Sequence, residues 1–315
     1  MICAASLAAS FAKNPDLTDK QAINQTRSHL GLSKESLGFP GDDAAAIPDG
    51  NGWHLVAMEG FKNEFVASEP WFAGWCSVMV NQSDILAMGG RAIGVTNALW
   101  APDSTLAEEI LRGMREASNA YDVPIVGGHT NHETDRPQLA ATIFGKAKKL
   151  ISSFLAQPGD LLIAATDQRG SYVGKSKNFA AFLEVPPERL RSDCQILPNL
   201  AEEELVTAGK DISQGGIVGT SLMLAECSKV GIEIDLGSLK SPDGDLEKWL
   251  NAFPSFGFLL TAESDKTSSV LEKFTSREID ARVIGKVVRG SSLYLMDNSD
   301  RHLVWNHSTD PYLGF

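Results

Sequence analysis

Two adjacent carboxylates beside glycines form the first stretch that could bind a metal ion. Residues 38–47 read Gly-Phe-Pro-Gly-Asp-Asp-Ala-Ala-Ala-Ile, which places Asp42 next to Asp43. Glycines and small side chains let a ligand approach the backbone, and carboxylate oxygens are preferred ligands of Mg²⁺. Gly-Asp-Asp is also common turn chemistry, so a surface turn is the alternative interpretation.

A lone acidic residue, Asp84, lies in an otherwise apolar stretch. Residues 78–90 read Val-Met-Val-Asn-Gln-Ser-Asp-Ile-Leu-Ala-Met-Gly-Gly. A buried carboxylate needs either a hydrogen-bond donor or a cation. The pattern therefore predicts a metal ligand or, alternatively, a structural aspartate bonded to local backbone.

Two Gly-Gly stretches could bind an anion. Residues 126–132 read Val-Gly-Gly-His-Thr-Asn-His and follow an apolar strand pattern, where backbone N–H groups could face a phosphate or form a hairpin turn. Residues 210–217 read Lys-Asp-Ile-Ser-Gln-Gly-Gly-Ile, where a helix N-terminus could bind an anion or Ser213 could simply cap the helix. A third glycine-rich stretch, 170–176, has three residues between its glycines where a P-loop requires four, and is rejected as one.

The two histidines of the stretch 126–132 suggest metal-dependent hydrolysis as a less favoured alternative. His129 and His132, with Asp135, could serve a metal hydrolase. Their spacing lacks a second cluster of ligands, so a hydrogen-bonding role is preferred for the histidines.

Helix and strand patterns alternate along the chain and predict a mixed α/β (α+β) architecture. Strands are predicted at 53–58, 93–100, 123–126, 138–147, 161–165, 232–236, 256–261 and 281–288, and helices at 70–88, 104–120 and 215–229. A turn at 156–160 marks a boundary. We therefore predict a helical arm over 1–40, an N-terminal domain over 41–155 and a C-terminal domain over 156–315.

A polar stretch, 166–199, carries five basic residues that could either meet an anionic substrate or form a solvated surface: Arg169, Lys175, Lys177, Arg189 and Arg191.

Composition narrows the class of protein. The net charge of −12 argues against a nucleic-acid partner, which would require a basic face. No apolar run reaches the roughly 18 residues that span a bilayer, and the apolar stretch 2–12 is predicted to be a capping helix rather than a signal peptide. The four cysteines form no C-x-x-C pair, which argues against structural zinc or disulfides and favours a cytoplasmic protein.

Four of these stretches, taken in order, resemble the aminoimidazole ribonucleotide synthetase (PurM-like) superfamily: residues 38–47, 78–90, 126–132 and 210–217. Its members include thiamine-monophosphate kinase, selenophosphate synthetase and formylglycinamidine ribonucleotide synthase. The resemblance runs from about residue 38 to residue 288. It implies a two-domain PurM-like fold, with an N-terminal domain that pairs into a dimeric β-barrel and a C-terminal α/β sandwich. It also implies that ATP binds with Mg²⁺ on its phosphates.

The resemblance also implies roles for individual residues. The expected metal ligands are Asp43, Glu59, Asp84 and Asp211, and the expected nucleotide-binding residues are Asp42, Gly127, Gly128, His129, Thr130 and Ser213. Three positions depart from the relatives: Glu59 replaces the usual Asp, while His129 and Gln214 replace aspartates of the kinase. Cys3 lacks the neighbouring Gly and Lys of selenophosphate synthetase, so it is not assigned as a nucleophile.

We therefore predict an ATP- and Mg²⁺-dependent enzyme of an aminoimidazole-ribonucleotide-synthetase-related branch. It would transfer a phosphoryl group to a small-molecule substrate, or use ATP to activate one, and would be a homodimer. The alternative is a non-catalytic nucleotide-binding subunit or scaffold, for which the changes at Glu59, His129 and Gln214 would be typical. Neither nucleic acid nor a membrane is expected as a partner.

Overall fold

The structure is a computed structural model that describes residues 3–33, 35–174 and 176–314. Ile2, at the start of the predicted capping helix, and Lys175 lie outside the described residues. The chain divides into two compact units. The five-stranded unit comprises Asp43–Leu150 and Glu184–Glu202, and the seven-stranded unit comprises Met1–Asp42, Ile151–Leu183 and Glu203–Phe315.

The five-stranded unit is one sheet with helices packed on it. Its strands are β1 (Ala45–Asp49), β2 (Gly52–Gly60), β3 (Arg91–Trp100), β4 (Ile125–Asn131) and β5 (Gln138–Ala147), in the order β1-β2-β5-β3-β4. Only the β3–β4 pair is parallel. Its helices are α4 (Asn63–Ser68), α5 (Pro70–Ala87), α6 (Ser104–Tyr121), α7 (Pro187–Asp193) and α8 (Ile196–Glu202).

Helices α5 and α6 begin and end where the sequence predicts. Pro70 occupies the first turn of α5, where its missing N–H costs nothing. The cap of α6 is Asp103, whose carboxylate accepts the backbone N–H of Leu106 at 2.9 Å; Ser104 is the first helical residue rather than the cap. Asp122 ends α6 in the left-handed conformation, with φ 58°.

The two faces of the five-stranded sheet differ in what covers them. Helix α5 packs on β2, β3 and β5. On β5, Ala141, Ile143 and Ala147 are buried, while the alternating Phe144 is exposed. Because side chains alternate along a strand, one face forms the core of this unit and the other is open among the described residues.

The seven-stranded unit contains a mixed sheet in the order β15-β14-β10-β13-β6-β12-β9. These strands are β6 (Leu161–Thr166), β9 (Ala208–Asp211), β10 (Gly231–Asp235), β12 (Gly257–Ala262), β13 (Asp280–Val288), β14 (Ser292–Asp297) and β15 (Asp300–Asn306). A small sheet joins β7 (Ser171–Tyr172), β8 (Asn178–Ala180) and β11 (Phe253–Pro254) in the order β11-β8-β7. The helices are α1 (Ala4–Phe11), α2 (Pro15–Thr18), α3 (Ala22–His29), α9 (Gly216–Ser228), α10 (Leu246–Leu250) and α11 (Thr267–Thr275).

The apolar N-terminal stretch forms α1, which packs on β14 and β15. Its side chains Leu7 and Phe11 belong to the core of the seven-stranded unit. No helix among the described residues is long and apolar enough to cross a membrane.

Candidate functional site

Two predicted metal ligands come together in the five-stranded unit. Asp43 lies two residues before the start of β1, and Asp84 lies in the last turn of α5. One carboxylate oxygen of each lies within 4.8 Å of the other. Two acceptor-only groups at this separation repel each other unless a cation or a proton lies between them.

Asp84 is held inside the unit by its helix. Only 6% of the residue is exposed, and the residues that follow it, Ile85 and Leu86, are buried. Helix α5 buries almost its whole circumference, so most of its polar side chains are constrained by packing. The geometry fits a divalent cation because the two converging side chains supply hard oxygen ligands, one of them buried.

Asp42, predicted to bind nucleotide, is occupied by hydrogen bonds in the seven-stranded unit. It accepts the Ser152 hydroxyl at 2.6 Å, the Ser153 backbone N–H at 2.8 Å and the Ser153 hydroxyl. Lys210 Nζ donates to the carbonyl of neighbouring Gly41 at 3.4 Å. These contacts assign Asp42 an anchoring role in the loop; nucleotide binding by Asp42 stays a prediction.

Glu59 is not grouped with the two aspartates. It lies near the end of β2 and pairs in register with Ala141 of β5, on the face that α5 covers. Among the described residues, its carboxylate is not part of the group of acidic oxygens that lie within 4.8 Å of one another. Metal binding by this longer side chain therefore stays a prediction.

The predicted Gly-Gly turn is a strand. Gly127, Gly128, His129 and Thr130 lie inside β4, an edge strand of the five-stranded sheet, and are exposed. Neither the expected strand end nor the alternative hairpin turn occurs at these residues. Pairing with β3 continues the strand through Asn131, which overrides the weak strand preference of glycine.

The two glycines of β4 face opposite sides of the sheet. Gly127 is opposite Thr96 and has open space around it: a Cβ added there would lie 3.9 Å from its nearest neighbour, the Thr96 methyl carbon. Gly128 is opposite Asn97, whose Oδ1 would lie 2.1 Å from any Cβ at that position. Gly128 therefore packs closely against the Asn97 side chain, whereas the space beside Gly127 is open; nucleotide binding by either glycine stays a prediction.

Asp211 and Ser213 belong to the seven-stranded unit. Asp211 is the last residue of β9 and is 4% exposed. Ser213 does not cap α9 with its side chain; instead its hydroxyl accepts Lys20 Nζ at 2.9 Å. The following Gly215 and Gly216 adopt left-handed backbone, and a side chain on Gly216 would lie 2.1 Å from the carbonyl oxygen of Leu250.

The N-terminal arm reaches this turn, a contact that the sequence did not predict. Asp16 accepts the Gln214 amide at 2.8 Å and also binds Lys177. Leu17 is fully buried beside Gly215. No periodicity links residues about 200 positions apart, so only the folded chain reveals this contact.

Basic residues of the 166–199 stretch are engaged within their own units. Arg169 binds Asp167 at 2.8 Å, Arg189 lies 3.7 Å from Asp193, and Arg191 donates to the carbonyl of Ala120 at 3.1 Å. These partners, together with the Lys177–Asp16 pair, favour structural roles over substrate binding.

Three of the cysteines are buried and unreactive in character. Burial raises the pKa of the Cys194 and Cys227 thiols to about 12 and also raises the pKa of the Cys76 thiol. At neutral pH these thiols are protonated and poor nucleophiles. Cys3 is exposed.

The metal-hydrolase interpretation gains no support. Among the described residues, His129, His132 and Asp135 belong to no group close enough to hold a metal. The ring of His132 instead contacts the carbonyl of Ala101 at 2.9 Å.

Known proteins share both the sequence and the fold of the chain. Residues 41–147 match the AIR synthase related protein, N-terminal domain, and residues 157–298 match the corresponding C-terminal domain. An uncharacterized protein of Synechocystis sp., sll0787, is 44% identical over 87% of this chain and 86% of its own length.

Two solved structures share the fold. A PurL from T. maritima complexed with ATP is 18% identical with a TM-score of 0.70, covering 93% of this chain and 54% of the PurL chain. AaThiL, complexed with AMPPCP and TMP, is 18% identical with a TM-score of 0.67, covering 93% of this chain and 99% of its own. The predicted two-part mixed α/β architecture is thus confirmed; among the described residues no closed barrel occurs. The chain belongs to the AIR synthase related protein family.

Proposed function

We propose that this protein is an ATP- and Mg²⁺-dependent enzyme that transfers a phosphoryl group to, or activates with ATP, a small-molecule substrate. The observation that carries the proposal is the approach of Asp43 and Asp84 to within 4.8 Å in a member of this family. The ATP in the PurL structure and the AMPPCP in the ThiL structure support it.

Asp43 and Asp84 would hold the Mg²⁺, with Asp211 as the third ligand predicted from the sequence. Bound Mg²⁺ would supply the positive charge that lets these carboxylates and a triphosphate occupy one site. The role of the chain is to fix the carboxylates in advance: α5 buries Asp84, and the Asp42 anchor holds the loop that carries Asp43. We retain Gly127, Gly128, His129 and Thr130 as proposed nucleotide contacts because they are exposed along β4.

Binding of an ATP analogue tests the proposal directly. We expect isothermal titration with AMPPCP to give binding in Mg²⁺ and at least about tenfold weaker binding in EDTA. The Asp84→Asn variant should bind poorly in both while keeping the wild-type circular dichroism. Unchanged affinity in a folded Asp84→Asn variant would contradict the metal assignment.

The non-catalytic alternative is tested by turnover. A scaffold would bind AMPPCP without releasing phosphate from ATP in the presence of any candidate acceptor. Phosphate release above the Asp84→Asn background would exclude it.

We also propose a homodimer formed through the five-stranded unit. The open face of its sheet exposes Met58 (66%), Phe144 (42%) and Ile47 (37%), and the edge strand β4 exposes Val126. Clustered apolar side chains on an open sheet face are typical of protein interfaces. In the proposed dimer, a second copy of the chain covers the open sheet face and the edge strand β4.

A further inference from the structure

A buried amide on α5 carries an oxygen that nothing described in the structure satisfies. Asn81 is 0% exposed. Its Nδ2 donates to the backbone carbonyl of Ser77 at 2.9 Å, but its Oδ1 has no hydrogen-bond partner among the described residues. Buried polar atoms without partners are rare in folded proteins and call for an explanation such as an ion or a water.

The unsatisfied oxygen lies on the helix face that leads to Asp84. Ser77, Asn81 and Asp84 are spaced by four and three residues, which places all three along one face of α5. The Nδ2 bond to Ser77 directs the amide nitrogen one turn toward the helix N-terminus. The oxygen on the same planar group is therefore turned away from the Ser77 carbonyl.

The chemistry of this face suits a cation better than a donor from the protein. The Asn81 oxygen and the carboxylates of Asp43 and Asp84 are all acceptors. A buried acceptor without a donor is stabilised by a divalent cation, for which amide and carboxylate oxygens are suitable ligands.

We propose that Asn81 Oδ1 is a further ligand of the divalent cation held by Asp43 and Asp84. This inference rests on the proposed function, because it concerns the same cation. If it is correct, α5 supplies two ligands of the cation, Asn81 and Asp84, which lie three residues apart on the helix.

The test uses Mn²⁺ alone as the probe, with free Mn²⁺ measured by electron paramagnetic resonance. Asn81→Leu should lower the Mn²⁺ affinity about tenfold or more. Gln82→Leu is the matched control: Gln82 is an amide that is 5% exposed and also has an unpartnered Oε1, but it lies about 100° around the helix. Its removal should leave Mn²⁺ affinity within about twofold of wild type.

Melting without metal separates a ligand from a structural residue. Because Asn81→Leu removes an unsatisfied oxygen along with one hydrogen bond, its metal-free melting temperature should lie within about 2 °C of that of Gln82→Leu. Equal Mn²⁺ affinities of the two leucine variants would overturn the inference.

A second variant covers a failure of Asn81→Leu to fold. Asn81→Asp keeps an oxygen at the position and adds charge, so it should bind Mn²⁺ more tightly than wild type; equal or weaker binding would count against a ligand role.

Failure of the proposed function gives a different pattern. If the wild type binds no Mn²⁺, or if Asp84→Asn binds Mn²⁺ with the wild-type affinity, the proposed metal site is wrong. If Asp84→Asn loses binding while Asn81→Leu retains it, only the inference about Asn81 falls.

Discussion

Neighbouring aspartates in this chain have different surroundings. Asp42 is saturated with donors from Ser152 and Ser153, whereas Asp43 lies near a second carboxylate. The sequence Gly-Asp-Asp does not distinguish the two, because the serines that select Asp42 lie 110 residues further along the chain. Sequence reasoning could therefore locate the loop, but it could not tell which carboxylate anchors the loop and which is available to bind a metal.

Replacing each aspartate by asparagine should separate anchoring from metal binding. Asp42→Asn puts an amide donor against groups that already donate, so it should lower the free energy of unfolding by about 1–3 kcal/mol. Asp43→Asn reduces the negative charge beside Asp84 and should lower the free energy of unfolding by less than Asp42→Asn does, measured by urea unfolding without metal.

Mn²⁺ titration of the same two proteins completes the comparison. Asp43→Asn should lose at least about tenfold in affinity, and Asp42→Asn much less. If Asp42→Asn instead unfolds like the wild type and loses Mn²⁺ affinity, Asp42 belongs to the metal site and does not anchor the loop.

At the scale of elements, the termini of α5 and α6 were predictable because local signals set them. Pro70 and Asp103 act on their own helices, and Asp122 stops α6 by adopting left-handed backbone. The sequence predicts that β4 ends at Val126, but the strand continues to Asn131 because its pairing partner β3 is remote in sequence. Elements that tertiary pairing defines are those that local patterns misjudge.

Helix α5 positions Asp84 through an unusually close approach to α6. A Cβ on Gly113 would lie 1.9 Å from the carbonyl oxygen of Trp71, and one on Gly74 would lie 1.9 Å from that of Ile110. Such contacts leave no room for even a methyl group, and backbone atoms cannot move aside cheaply.

We therefore expect Gly113→Ala to destabilise the protein by about 2–3 kcal/mol or more, despite the better helix propensity of alanine. Displacing α5 should also weaken Mn²⁺ binding through Asp84. Gly60→Ala, at a position with no atom within 4 Å, is the control and should cost less than about 1 kcal/mol. Urea unfolding of both variants measures this, and equal midpoints would show that the helices separate without cost.

At the scale of the whole molecule, the open sheet face raises the question of what covers it. Val56 of β2 pairs in register with Phe144, and Met58 pairs with Thr142, so Phe144 and Met58 share one face. Lys146 and His54 flank these apolar side chains in the same register. An apolar centre with a polar border is the arrangement found in protein interfaces.

Phe144→Glu should convert the proposed dimer into a monomer, because burying a carboxylate without a partner costs more than the interface gains at this position. Light scattering after size exclusion should show the wild type at twice the 33.9 kDa chain mass and the variant at the single mass. Leu303→Glu is the matched control, since Leu303 is similarly exposed (53%) but lies on β15 of the seven-stranded unit. A wild type at the single mass would show that the chain does not form the proposed dimer. A Phe144→Glu variant still at the double mass would show that a surface other than the open sheet face holds the two copies together.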